Sequence, residues 1–170
     1  MILAKNKFLI LTTVVMTAGA YFMLRPAKNV RNNNPLNIER GDDWKGLQAI
    51  QNDQRFAQFT SPEYGFRAAY IILLRYLERD DNTLIKIIAK WAPSHENDSN
   101  AYAEYLANKL EQSPVEEITP QGLPLLMLHM SNFEGAKGAF TFEQAVAGAD
   151  LAKQEDFVIA RLARISEVYA

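Results

Sequence analysis

Residues 61–77 read SPEYGFRAAYIILLRYL, a stretch with the marks of a buried helix. Thr60 or Ser61 stands where a helix N-cap would be, with Pro62 in the first turn, where a missing N–H costs nothing. Phe66, Ala69, Tyr70, Leu73 and Leu77 then recur at helical spacing and form one apolar stripe. Such a stripe must be covered by other elements, and the chain that follows supplies them.

Asn82 opens a second helix in which Leu84, Ile85, Ile87, Ile88 and Trp91 are apolar nearly all round, as in a central helix. It must stop before Pro93. Asp98 or Ser99 begins a third, with Tyr102, Tyr105, Leu106 and Leu110 on one face. Thr119-Pro120 opens a fourth, running through Leu125, Leu126 and Leu128 toward Gly135. Thr141 with Gln144 has the spacing of a capping box for a fifth. Glu155 to Tyr169 makes a sixth, with Val158, Ile159, Leu162 and Ile165 inward. Upstream, residues 33–59 are broken by Pro, Gly and Asp-Asp. They read as loops with at most a small β-hairpin ending at Arg55–Phe59, anchored by Phe56 and Phe59. The expected fold is mainly α, or α+β with that hairpin, over residues 35–170.

Residues 25–34, RPAKNVRNNN, are polar and read as a linker. Before them, Phe8 to Leu24 is an uncharged apolar run flanked by Lys5 and Lys7 on one side and by Arg25, Lys28 and Arg31 on the other. As a helix it would be roughly 26 Å long, close to the ~30 Å hydrocarbon core, and snorkelling cations could make up the difference. Residues 1–24 are therefore expected to be a membrane anchor. The competing reading is a leader cleaved after Ala18-Gly19-Ala20, but the apolar run continues past that site. Basic residues on both sides leave the orientation open.

Composition bounds the function. Hydrophobic residues are 48% and charged residues 22% of the 170, the balance of a globular protein. There is no cysteine, so disulfides and thiolate metal sites are excluded, and the two histidines, His95 and His129, form no zinc pattern. Beyond residue 24 the chain carries a net charge of −4, which argues against nucleic acid as a partner. No cofactor motif and no metal cluster is present.

The chemistry left is that of carboxylates. Glycoside cleavage needs an acid of raised pKa, and burial at a helix C-terminus raises one. Glu134 fits best, because it follows the apolar run Leu125–Phe133 and precedes Gly135. The plainer role is that of a surface glutamate beside a C-cap glycine. Glu96 is a second candidate, whose plainer role is bracing the start of the Tyr102 helix. Glu63 reads as a first-turn acid and Glu39 as a loop residue. Trp44, Trp91 and Tyr102 could be platforms for sugar rings, although large aromatics on helical stripes also build cores.

Four motifs occur in order: Arg31-Asn32-Asn33-Asn34-Pro35-Leu36-Asn37-Ile38, Trp44-Lys45-Gly46, the run Arg55–Ala68, and Trp91-Ala92-Pro93 with Glu96-Asn97 and Tyr102. Together, over roughly residues 31–135, they resemble a family of small phage and prophage virion proteins with an Asn-Asn-Pro-Gly-Asn-Ile signature. Leu36 stands where that family has glycine. The motifs are also similar, more faintly, to lysozyme-like peptidoglycan enzymes of the glucosaminidase and lytic transglycosylase types. In those the catalytic glutamate precedes the Asn motif. The virion family has instead a late helix ending in His-Glu-Asn-Gly, as if the fold were circularly permuted. Phe133-Glu134-Gly135 occupies that place here, without the His or the Asn.

The resemblance implies a lysozyme-like domain acting on peptidoglycan as muramidase or lytic transglycosylase, with Glu134 as general acid. It implies that Glu96, Tyr102, Asn34 and Asn37 shape the cleft and bind acetamido groups, and that the partners are peptidoglycan, a lipid membrane and other virion proteins. The alternatives are an inactive structural membrane protein of a virion, and a cellular cell-wall-binding protein.

Overall fold

The computed structural model describes residues 26–92 and 98–168. The expected anchor, residues 1–24, and the candidates His95 and Glu96 lie outside the described residues. Among the described residues no helix is long and apolar enough to cross a membrane.

The architecture is mainly helical. A single turn, α1 (Lys28–Arg31), is followed by an irregular stretch and then by α2 (Pro62–Leu77), α3 (Leu84–Trp91), α4 (Ser99–Leu110), α5 (Leu123–Glu134), α6 (Phe142–Ala152) and α7 (Asp156–Val168). The expected apolar stripe is the centre of the core: Phe66, Ala69, Tyr70 and Leu73 are fully buried on α2. α2 packs most extensively on α6. Gly148 permits this contact, since a Cβ there would overlap Phe66 and the α2 backbone. Phe66 also meets Phe140 edge to face at 5.8 Å. The other helices complete the layer through the contacts of α3 with α4, α4 with α5, and α5 with α6.

The start signals at Asp98 and Thr141 operate as expected, whereas the second helix begins at Leu84 with Thr83, not Asn82, as its cap. The Thr83 hydroxyl accepts from the Lys86 N–H at 3.4 Å, and the Asp98 carboxylate from the Ala101 N–H at 3.0 Å. Thr141 and Gln144 form a reciprocal capping box. Ser61 holds the N-cap position of α2 but makes no side-chain capping bond.

Four further expectations are corrected. The presumed linker belongs to the packed domain from Lys28 onward: Lys28–Arg31 is helical, and Asn29, Asn32 and Asn34 are buried. The hairpin is reduced to isolated antiparallel bridges, Glu39 with Phe56 and Leu47 with Phe59. The fourth helix starts at Leu123, not at Thr119-Pro120, which form a turn closed by the Gly122 N–H on the Thr119 carbonyl. Ile85, Leu125 and Ile159 face solvent, because the helices that carry them are covered on one side only.

Candidate functional site

The site is built from the Asn-rich stretch, although that stretch has little regular backbone pairing of its own. Its side chains supply the missing bonds. The Asn34 amide donates to the Ile38 and Ala57 carbonyls, both at 2.8 Å, while its oxygen accepts from the Ile38 N–H at 2.9 Å. Asn33 donates to the Phe59 carbonyl at 3.1 Å. Asn32 donates to Asp53 at 3.0 Å and accepts from Gln58 at 3.1 Å. Asn33 and Asn37 both take left-handed backbone conformations, φ 46° and 50°, which asparagine tolerates better than most residues.

Two glycines let this loop approach the helices. A Cβ at Gly65 would meet the Asn33 carbonyl and the Pro35 ring, and a Cβ at Gly135 would overlap the Asn29 amide. Gly135 has φ −169°, which any residue adopts, so room rather than conformational freedom is what it contributes. Through that gap Asn29 donates to the Pro35 carbonyl at 3.3 Å and to the Ser131 carbonyl of α5 at 3.4 Å. The loop is thereby fastened to the last turn of α5, where Glu134 sits.

Glu134 is half-buried. Asn37 donates to its backbone carbonyl at 3.1 Å and to its carboxylate Oε2 at 3.3 Å. The Tyr102 hydroxyl, itself buried, lies 3.3 Å from Oε1 and 3.4 Å from the Met130 carbonyl, its two possible acceptors. Phe133 stacks on Tyr102 with ring centroids 3.8 Å apart and holds the phenol in place. Burial raises the Glu134 pKa, and hydrogen bonds from Asn37, Tyr102 and Trp91 offset part of the rise. The donors are all neutral, and the helix C-terminus adds its own bias toward the protonated acid. Burial, together with the Glu134 charge, pushes the Tyr102 phenol well up, which keeps it a donor.

The acid faces a groove of about 730 Å³, within the range of small-molecule sites. Asn37 and Trp91 line it with Glu134. The rest of the lining was not anticipated. It carries Glu39, Arg55, Phe56 and Tyr76, with Glu39 paired to Arg55 at 2.7 Å and the Lys28 and Arg55 cations each 5.1 Å from the Phe56 ring centroid. The clue lay in Arg55-Phe56, the start of one of the ordered motifs, but a lone loop carboxylate such as Glu39 carries no such signal.

Of the site residues expected from sequence, Glu134, Asn37 and Trp91 meet in the groove, and Tyr102 supports them from beneath. Asn34 is fully buried with its amide committed to backbone groups, so it builds the loop and does not line the groove. Trp44 is also buried, and it lines a different cavity. Its motif partner Gly46, at φ +80°, takes the Tyr64 ring against it where a Cβ would stand. His129 is half-buried on α5. Among the described residues no cluster of three or more His, Asp or Glu could hold a metal.

Fold and site together define a helical domain with one half-buried carboxylic acid at the end of a helix, presented to an open groove by an amide-stapled loop. No family model matches the chain. It is similar to Protein P5 of Pseudoalteromonas phage PM2, at 33% identity over 127 residues, covering 72% of this chain and 79% of the phage protein. The chain belongs to the family of that phage protein.

Proposed function

We propose that this chain is a phage virion protein that cleaves the glycan strands of peptidoglycan, with Glu134 as general acid and residues 1–24 as its membrane tether. The family relation supports the phage origin. The enzymatic part rests on one observation: the Glu134 carboxyl is half-buried at a groove, fixed by neutral donors, with its pKa raised.

In the reaction, the Glu134 O–H gives its proton to the oxygen linking N-acetylmuramic acid to N-acetylglucosamine, and the bond from that oxygen to the muramyl C1 breaks. The muramyl C6 hydroxyl oxygen then bonds to C1 and returns its proton to Glu134, leaving a 1,6-anhydro end and a regenerated acid. Asn37 and Tyr102 hold the carboxyl in both protonation states, and the Trp91 ring offers a sugar an apolar wall. The one-acid route is preferred because Glu39, the other carboxylate of the groove, is engaged by Arg55.

The test is digestion of purified peptidoglycan by the full chain in detergent, with released muropeptides analysed by mass. Anhydro-ended products from the wild type and none from Glu134→Gln are expected. Intact glycan with the wild type overturns the reading. The second reading is a non-catalytic virion protein of the same fold. Phe133 favours it, since the residue before the acid is here used to pack Tyr102. Sedimentation with peptidoglycan sacculi in the absence of any cleavage would establish it.

A further inference from the structure

The corner of the domain around α1 lies where the tether arrives. Residues 8–24 are the uncharged apolar run of the sequence, and the described domain begins at Pro26. Four residues lead from Leu24 to Lys28, a reach of at most about 14 Å when fully extended. A bilayer that takes up residues 8–24 therefore holds the surroundings of Lys28 close to its surface.

Those surroundings are cationic and aromatic. Lys28 is exposed on α1, and Arg31 follows three positions later on the same side. The Lys28 ammonium and the Arg55 guanidinium each lie 5.1 Å from the centroid of the half-buried Phe56 ring. Arg40 is joined to this corner by its backbone N–H on the Arg55 carbonyl at 2.9 Å and its guanidinium on the Asp53 carbonyl at 3.1 Å. Two carboxylates accompany these four cations. The Asp53 side chain is turned inward, 12% exposed, where it accepts from the Asn32 amide and the backbone N–H groups of Arg55 and Phe56. Glu39, paired with Arg55, is the outward one. The corner is thus positive on a chain whose residues beyond 24 sum to −4.

We propose that Lys28, Arg31, Arg40 and Arg55, with Phe56 among them, dock on an anionic lipid surface. The inference rests on the membrane tether of the preceding reading, which brings the corner to a bilayer without orienting it. Each basic residue held at such a surface strengthens binding by about fivefold, and long cationic stems beside an aromatic ring suit the interfacial layer. A tether alone leaves the domain free to turn, and the docked corner fixes it. Arg55 and Phe56 also line the groove of Glu134. The docked domain therefore opens its groove beside the lipid, and a strand that reaches the acid runs along the membrane surface.

The chain has no cysteine, so a single introduced one takes a nitroxide label specifically. Gln54→Cys places the label at an exposed position two residues before Phe56, and Val115→Cys places it at a 65% exposed position outside the corner. The full chain is reconstituted in vesicles of phosphatidylcholine alone or of phosphatidylcholine with phosphatidylglycerol, each with a trace of nickel-chelating lipid. Faster spin relaxation at position 54 in the anionic vesicles than in the neutral ones is expected, with no such gain at position 115. Adding Lys28→Gln, Arg31→Gln and Arg40→Gln together should abolish the gain. Raising the salt to about 0.5 M, where charges are screened beyond about 4 Å, should abolish it with no substitution at the corner. Equal relaxation at position 54 in both vesicles, an equal gain at position 115, or a gain that survives salt overturns the proposal. Flotation of the same samples reads the tether separately. Flotation with both vesicles supports the tether, whereas flotation with the anionic ones alone refutes it and, with the gain at position 54, leaves the corner standing. Flotation with neither overturns both.

Discussion

Glu134 and Glu155 both sit at helix ends, and their surroundings drive them in opposite directions. Glu134 closes α5 at its C-terminal end, half-buried among neutral donors, and its pKa is raised chiefly by burial. Glu155 precedes α7, takes Lys45 and Arg67, and its pKa is lowered, first by the Lys45 hydrogen bond. The helix field reinforces each: it disfavours a carboxylate in the last turn and favours one before the first. Side-chain type is therefore a poor guide to role. The first is suited to lend a proton, and the second is a counter-ion that settles a buried arginine.

The largest expected effect comes from removing the acid. Glu134→Gln keeps the shape of the site and one of its two acceptor positions, and it should lower the rate of glycan cleavage by about 10²- to 10⁴-fold, the usual contribution of a general acid. The same variant should be more stable than wild type at pH 8. With its folded pKa raised, Glu134 favours the folded state fully below the unfolded value of 4.5, and that contribution is lost as pH rises through the folded pKa. Above that point the wild type carries a half-buried charge and the variant does not. Urea unfolding of both proteins at pH 4 and pH 8 would show the difference growing with pH. Equal stability at both values would mean that Glu134 is not desolvated.

Gly135→Ala tests whether the loop or the helix sets that environment. The added methyl meets Asn29, whose amide joins the loop to Ser131, and overpacking of this kind costs typically about 1–3 kcal/mol. A lower denaturation midpoint with a shifted Trp91 fluorescence maximum is expected. On the other side of the comparison, Glu155→Gln leaves Arg67 without its counter-charge while keeping the volume. It should lower the thermal midpoint by at least ~2 °C. Because the Glu155 pKa is lowered, its contribution is present above the unfolded value of 4.5 and lost as pH falls through the folded pKa. The gap between variant and wild type should therefore close in acid, opposite to the behaviour of Glu134.

The two regions were not equally legible in the sequence. α2, α4 and α6 could be read because stripe and cap fall within one short window, as in Phe66 to Leu77 or Thr141 with Gln144. Glu134 was legible for the same reason, as the last residue of an apolar helix. The partners that give it chemistry are distant: Asn37 is 97 positions away and Tyr102 is 32. Asn29 and Asn34 were read as linker or cleft because polar residues in a row look solvated. Their amides instead replace a strand ladder, a use that leaves no periodic trace. Trp44 failed likewise, since an aromatic beside a Gly gives no sign of which cavity it will face.

The smallest effect expected is the most discriminating. Tyr102→Phe removes one hydroxyl, keeps the ring stacked on Phe133, and deletes a bond that lowers the Glu134 pKa. The acid should therefore titrate higher in the variant, and the alkaline limb of the activity profile should move to higher pH while the plateau falls modestly. A loss of activity at every pH with the limb unmoved would make Tyr102 a packing residue only. A limb moved to lower pH would mean that the phenol accepts from a protonated Glu134 instead of donating to it, since a bond to the neutral form raises a carboxyl pKa and its removal lowers one. The direction of that movement thus reports which of the two groups donates in the hydrogen bond between them.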